Sequence, residues 1–136
     1  MTDLLELVPS KDTITVTLKN PNSKSDTFGQ PLKNKDGTDM TVTVYAPHSR
    51  EYKGAIHNQT QARIKKAQET KKRDFSFDDF EEITISLFVD TTVSWNITWK
   101  DEMPKYSKKL AKEVYEKLFW IRSQIDEEVQ DTSVFT

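Results

Sequence analysis

The chain has 136 residues, with 20 basic and 22 acidic side chains, a net charge of −2 and no cysteine. These numbers exclude a disulfide scaffold, a thiol nucleophile and a thiolate metal site, and leave no global field to attract nucleic acid or membrane. With 35% apolar and 31% charged residues, the expectation is one domain over residues 1–136, with a small core and a heavily solvated exterior.

The start, "MTDLLELVPSKD", lacks the basic region and apolar run of a secretory signal, and no stretch approaches the ~18 apolar residues of a membrane span. A cytosolic protein is expected. On that reading Asn58-Gln59-Thr60 and Asn96-Ile97-Thr98 are inert sequons.

Residues 13–19, "TITVTLK", alternate strictly, with Ile14, Val16 and Leu18 on one face and threonines on the other. Residues 40–46, "MTVTVYA", repeat the pattern with Met40, Val42 and Val44. Period-two alternation rich in β-branched residues predicts two half-buried strands, paired antiparallel and covering a helical layer. Between them, residues 20–39 hold two prolines, two glycines and many turn formers, and Asp36-Gly37 is a tight-turn signal. A loop of ~20 residues is long for a compact domain, and a mobile hairpin tip is the expectation.

After Pro47, a segment rich in helix formers predicts a helix over about 49–70 with Ser49 as N-cap. Its apolar face is thin. Its far end, Arg63 to Arg73, carries six basic residues and one acid, a run that suits either nucleic acid or a solvated helix end. No aromatic residue interleaves with those charges as a stacking platform, which favours the helix end. Next, Ser76 and Asp79 resemble a capping box with Phe75 and Phe80 in staple positions. Phe80, Ile83, Leu87, Thr91 and Trp95 recur at helical spacing, although "ITISLFV" is also strand-like. The expectation is a core helix over 77–94 that Trp95 closes. Trp99, four residues on and before Pro104, falls outside any periodic pattern. From Ser107 the tail reads as helix on a Leu110–Val114–Leu118–Ile121–Ile125–Val129 stripe, with a break near Phe119. Lysines early and acids late oppose the macrodipole of one continuous helix, and the break relieves part of that conflict.

No catalytic constellation emerges. His48 and His57 are nine residues apart, on opposite sides of a helix, and cannot share a metal there. There is no Gly-rich phosphate loop, no His-x-x-x-His and no nucleophile elbow. Asp78, Asp79, Glu81 and Glu82 fall at a helix start, where acids stabilise the positive end by ~0.3–1 kcal/mol each. No enzymatic activity, metal or cofactor is expected. What remains is apolar surface: the Trp95–Trp99 segment, Trp120-Ile121 and the terminal Val134-Phe135.

The fold expected is α+β, with an N-terminal antiparallel hairpin or small sheet (1–46) packed on a layer of three to four helices (47–136). The order of "YAPHSREY", "VSWN" and the tail "FWIRSQIDEEVQDTSVF" resembles the small tail assembly chaperones of long-tailed bacteriophages. The resemblance rests on Trp95, Asn96, Trp120, Ile121, Arg122, Gln124, Ile125 and Phe135, and is sharpest over 91–136. The lysine-rich "KYSKKLAKEVYEKL" and the lack of glycine after the tryptophan segment depart from that pattern. The resemblance implies a non-enzymatic factor in the host cytoplasm that keeps the tape-measure protein soluble and recruits major tail protein. Self-association is compatible with it. The partner-binding residues expected are Trp99, which no periodic pattern claims, together with Trp120, Ile121, Ile125 and Phe135. A structural virion component is the alternative, and a nucleic-acid-binding module a more remote one.

Overall fold

A computed structural model describes residues 3–8, 11–69 and 77–131. The fold is α+β, a three-stranded antiparallel sheet laid on four helices. Strands β1 (Thr13–Thr17) and β2 (Thr41–Tyr45) form where alternation predicts them, in register Thr13↔Tyr45 through Thr17↔Thr41. Ile14, Val16, Val42 and Val44 point inward and are buried, as the period of two requires. On the outer face the hydroxyls of Thr15 and Thr43 lie 3.0 Å apart.

The loop 20–39 is laid out as a series of hydrogen-bonded turns. Its turns close on themselves: the Asn20 side chain donates to Ser25 and Thr27, and the Gly29 amide donates to the Asn20 carbonyl. Gly29 and Gly37 take φ of 77° and 87°, where a Cβ is strained. Asn34, buried, then ties the second turn to residues 62 and 64 positions away. Its amide donates to the Asn96 carbonyl (3.1 Å), and its Oδ1 accepts from Thr98 (2.8 Å).

Helix α1 (Arg50–Glu69) starts as expected, with the Ser49 hydroxyl accepting from the Tyr52 amide and donating to the Ala46 carbonyl. It buries Ala55 alone, so it lies outside the core and packs along α2. Helix α2 (Phe77–Thr91) ends three residues short of its expected limit, and Trp95 belongs to a third strand, β3 (Thr92–Asn96). At the end of α2 the hydroxyls of Thr91 and Thr92 donate back to the Leu87 and Phe88 carbonyls. The β-branched Thr91–Val93 run then joins the open edge of β2. Val42 faces Trp95, Thr43 faces Ser94 and Val44 faces Thr92, which makes Val93 the extra residue of a bulge. Residues Phe75 and Ser76 of the expected staple and capping box lie outside the described residues.

The tail breaks where its sequence suggests. Helix α3 (Lys108–Lys117) is capped by Ser107, whose hydroxyl accepts from the Leu110 amide, and α4 (Phe119–Gln130) follows after Leu118. Lys108 lies 3.4 Å from Asp90 near the C-terminal end of α2. Lys108, at the start of α3 where it opposes that helix's own dipole, therefore stands beside the negative end of its neighbour. The inner face of the sheet packs on α2, α3 and α4 through Phe88, Val114, Tyr115, Ile121 and Ile125. Outside the core, the Gln124 side chain accepts from the Lys19 amide and donates to the Lys19 carbonyl, both at 2.8 Å, just beyond the end of edge strand β1.

Among the described residues, no helix is long and apolar enough to cross a membrane.

Candidate partner-binding surface

The five residues singled out for partner contact fall in different places. Ile121 and Ile125 are 4% and 3% exposed and belong to the core, so neither presents a contact surface on the folded chain. The correction has a simple cause: an i, i+4 stripe marks the buried face of a helix, and α4 turns that face to the sheet. Trp120 is half-buried against the same core. Phe135 lies outside the described residues.

Trp99 is half-buried and opens a two-residue turn. Its amide and carbonyl exchange hydrogen bonds with Glu102 (2.8 and 3.1 Å), and Lys100 and Asp101 both take positive φ, 52° and 62°. Two successive non-glycine residues in the left-handed region cost roughly 1–2 kcal/mol each. The indole N–H of Trp99 is buried without an acceptor among the described residues. Trp95, by contrast, is fully accommodated: its indole N–H donates to the Pro104 carbonyl (2.9 Å), and its ring meets Tyr106 edge-on at 4.9 Å. Asn-Gly is the pair best suited to such a turn. The double variant Lys100→Asn/Asp101→Gly is expected to gain about 1 kcal/mol and raise Tm by about 3–5 °C in a thermal melt. The Lys100–Glu113 ion pair it removes is exposed at 3.8 Å and contributes little.

A more prominent surface lies at the other end of α2. Phe77 is 78% exposed, Phe80 48% and Phe119 65%. Their grouping follows from helix directions. Lys108 pairs with Asp90, while Lys112 and Glu116 share a groove with Asp78 and Glu81, so α3 runs antiparallel to α2. After the Leu118 break, α4 returns parallel to α2, with Arg122 bonded to Glu81 at 2.9 Å. Phe77 and Phe119 precede those partners by about one turn each, which puts them at the same end of the layer. On the other flank the Arg63 guanidinium lies 4.9 Å over the Phe80 ring, and Lys66 lies 3.7 Å from Asp79. Part of the basic run is therefore spent on α2; residues 70–73 lie outside the described residues. Phe80 belongs to the apolar stripe, but α1 is too poor in apolar side chains to cover it. Phe119, off the stripe, carries no signal except its size.

A second feature, a groove of about 460 Å³, separates α1 from α2. Its floor includes Ala55 and Ile83, each 6% exposed, so it offers little uncovered apolar surface. His48 sits 3.5 Å from Asp12 and His57 is exposed. No group of three or more His, Asp or Glu side chains is placed to hold a metal among the described residues.

No family model, curated protein or solved structure matches the chain.

Proposed function

We propose that this chain is a protein-binding assembly factor, acting as a tail assembly chaperone of a long-tailed phage. The observation that carries the binding role is the exposure of Phe77, Phe80 and Phe119 toward one end of the helical layer, on a chain rich in charged residues. Exposed aromatic rings clustered in this way favour a partner's apolar side chains, and the surrounding charge keeps the complex dissolved. The identity of the partners, tape-measure and major tail protein, rests on the resemblance at Trp95-Asn96 and over Trp120–Ile125.

Co-expression with the tape-measure and major tail proteins of the same phage tests both parts. A complex is expected with the wild-type chain. The double variant Phe77→Ser/Phe119→Ser should weaken it by tenfold or more with an unchanged circular dichroism spectrum, since two exposed hot-spot rings contribute ~2 kcal/mol or more between them. Failure of the wild-type chain to retain either protein sinks the chaperone reading. Abundance of the chain in purified particles would point to a structural virion component instead.

A further inference from the structure

Helix α1 turns a poor stripe toward the fold. Tyr52, Ala55, Gln59, Ala62 and Lys66 recur at helical spacing and are its least exposed residues; every other residue of the helix is exposed. That stripe sets two alanines, an amide and an ammonium beside α2, whereas the bulkier Ile56 and Ile64 face solvent at 38% and 47% exposure. A helix held in place by its packing shows the opposite pattern. Across from it, Phe80, Ile83 and Leu87 fall at i, i+3 and i+7 on one face of α2. Arg63 covers Phe80, and Ile83 and Leu87 line the groove of about 460 Å³ together with Ala55 and Ala62, whose side chains are too short to fill it. Ala55 and Ile83 are buried, yet both stand outside the core cluster that joins the sheet to α2, α3 and α4. The core therefore closes without α1. At the far end of the helix the clasp consists of the Arg63–Phe80 stack and the Lys66–Asp79 pair, contacts of a kind that contribute little near solvent.

We propose that α1 is an autoinhibitory cover, which lifts from α2 and yields the Phe80–Ile83–Leu87 stripe to an amphipathic helix of a partner. Lifting extends the surface that begins at Phe77 along α2 to Leu87, ten residues or about 15 Å of helix. The occupant is a helix because a helix lies there already. One with leucine-sized side chains in place of Ala55, Gln59 and Ala62 fills the groove that α1 leaves open. Once detached, a segment of this length and polarity holds little helix in water, so lifting and unwinding go together. The proposal rests on the protein-binding reading for the partner alone; the cover is a property of the free chain.

Hydrogen exchange on the free, full chain reads the cover directly. The central amides of α1, residues 55–64, are expected to exchange about a hundredfold faster than residues 111–115 of α3, after correction for intrinsic rates. The double variant Gln59→Leu/Ala62→Leu fills the groove and should slow exchange in α1 about tenfold, with α3 unchanged. Exchange in α1 as slow as in α3 overturns the proposal, because the helix then opens only with the whole fold. Fast exchange that the filled variant leaves unaltered also overturns it, since packing on α2 is then not what holds α1. In the co-expression experiment the filled variant should bind the partner about tenfold more weakly than the wild type, and equal binding overturns the autoinhibitory role. A wild-type chain that retains no partner sinks the protein-binding reading, whereas the exchange data decide on the cover by themselves.

Discussion

Replacing Tyr115 with alanine is expected to lose about 3–5 kcal/mol, enough to unfold most of the population of an ordinary small domain. Tyr115 is 1% exposed, the largest fully buried side chain among the described residues, and its ring packs against Phe88 at 5.7 Å. It joins α3 to the point where α2 becomes β3, because its hydroxyl lies 2.6 Å from that of Thr92, which donates to the Phe88 carbonyl. The conservative Tyr115→Phe separates the two contributions. It keeps the packing and removes one hydroxyl while Thr92 keeps its own acceptor, so it should cost only about 1 kcal/mol. Urea midpoints of the two variants give the difference.

The same hydroxyl predicts the alkaline limit of the fold. Burial pushes the Tyr115 pKa up to about 12. The unfolded phenol ionises near its ordinary value of about 10, so stability is full below that pH and falls as pH rises toward the folded value. Tyr106, whose hydroxyl donates to the Val89 carbonyl at 2.5 Å, is raised mainly by burial and acts in the same direction. Tyr115→Phe should therefore unfold less steeply above pH 10 than the wild type, despite its lower stability at pH 7. An equal alkaline slope in both proteins contradicts the assignment.

Asn34→Ala is the second large effect, about 2–3 kcal/mol, although the residue lies in a segment that reads as loop. The variant removes the donor to the Asn96 carbonyl, leaves the Thr98 hydroxyl with the Lys35 amide alone, and removes bonds to Thr38 (3.3 Å) and the Asp39 carbonyl (3.2 Å). Asn34→Asp offers no rescue, since a carboxylate cannot donate to those carbonyls. Hydrogen exchange should report the damage both in residues 34–39 and in 96–98. Exchange confined to the turn would show that the tie to β3 carries little energy.

These residues also show where the sequence is legible. Ile14, Val16, Val42 and Val44 announce their strands because period two is imposed by the backbone itself. Ser49 and Ser107 mark helix starts because orphan amides need a nearby acceptor. The third strand is hidden because Trp95 falls at i+4 from Thr91, a spacing shared by a continuing helix. What decides the matter is the unpaired edge of β2, which is distant in sequence. Residues 20–39 advertise turns, but the bonds that fasten them reach Asn96 and Thr98. The candidate surface is the least legible part. The stripe through Ile121 and Ile125 names the covered face of α4, whereas exposure of Phe77 and Phe80 depends on how little α1 brings to cover them.

The two bonds from Gln124 to Lys19 have a consequence for behaviour at high concentration. An outer strand offers a row of free amides and carbonyls on which another molecule's strand can grow. Here a side-chain amide, with one donor and one acceptor in the right places, imitates the next strand for a single residue and stops the ladder. Gln124→Ala would thus reveal itself less in a melting curve than in light scattering, as sheets from separate molecules begin to join edge to edge. At this position one glutamine keeps the sheet of each molecule apart from the next.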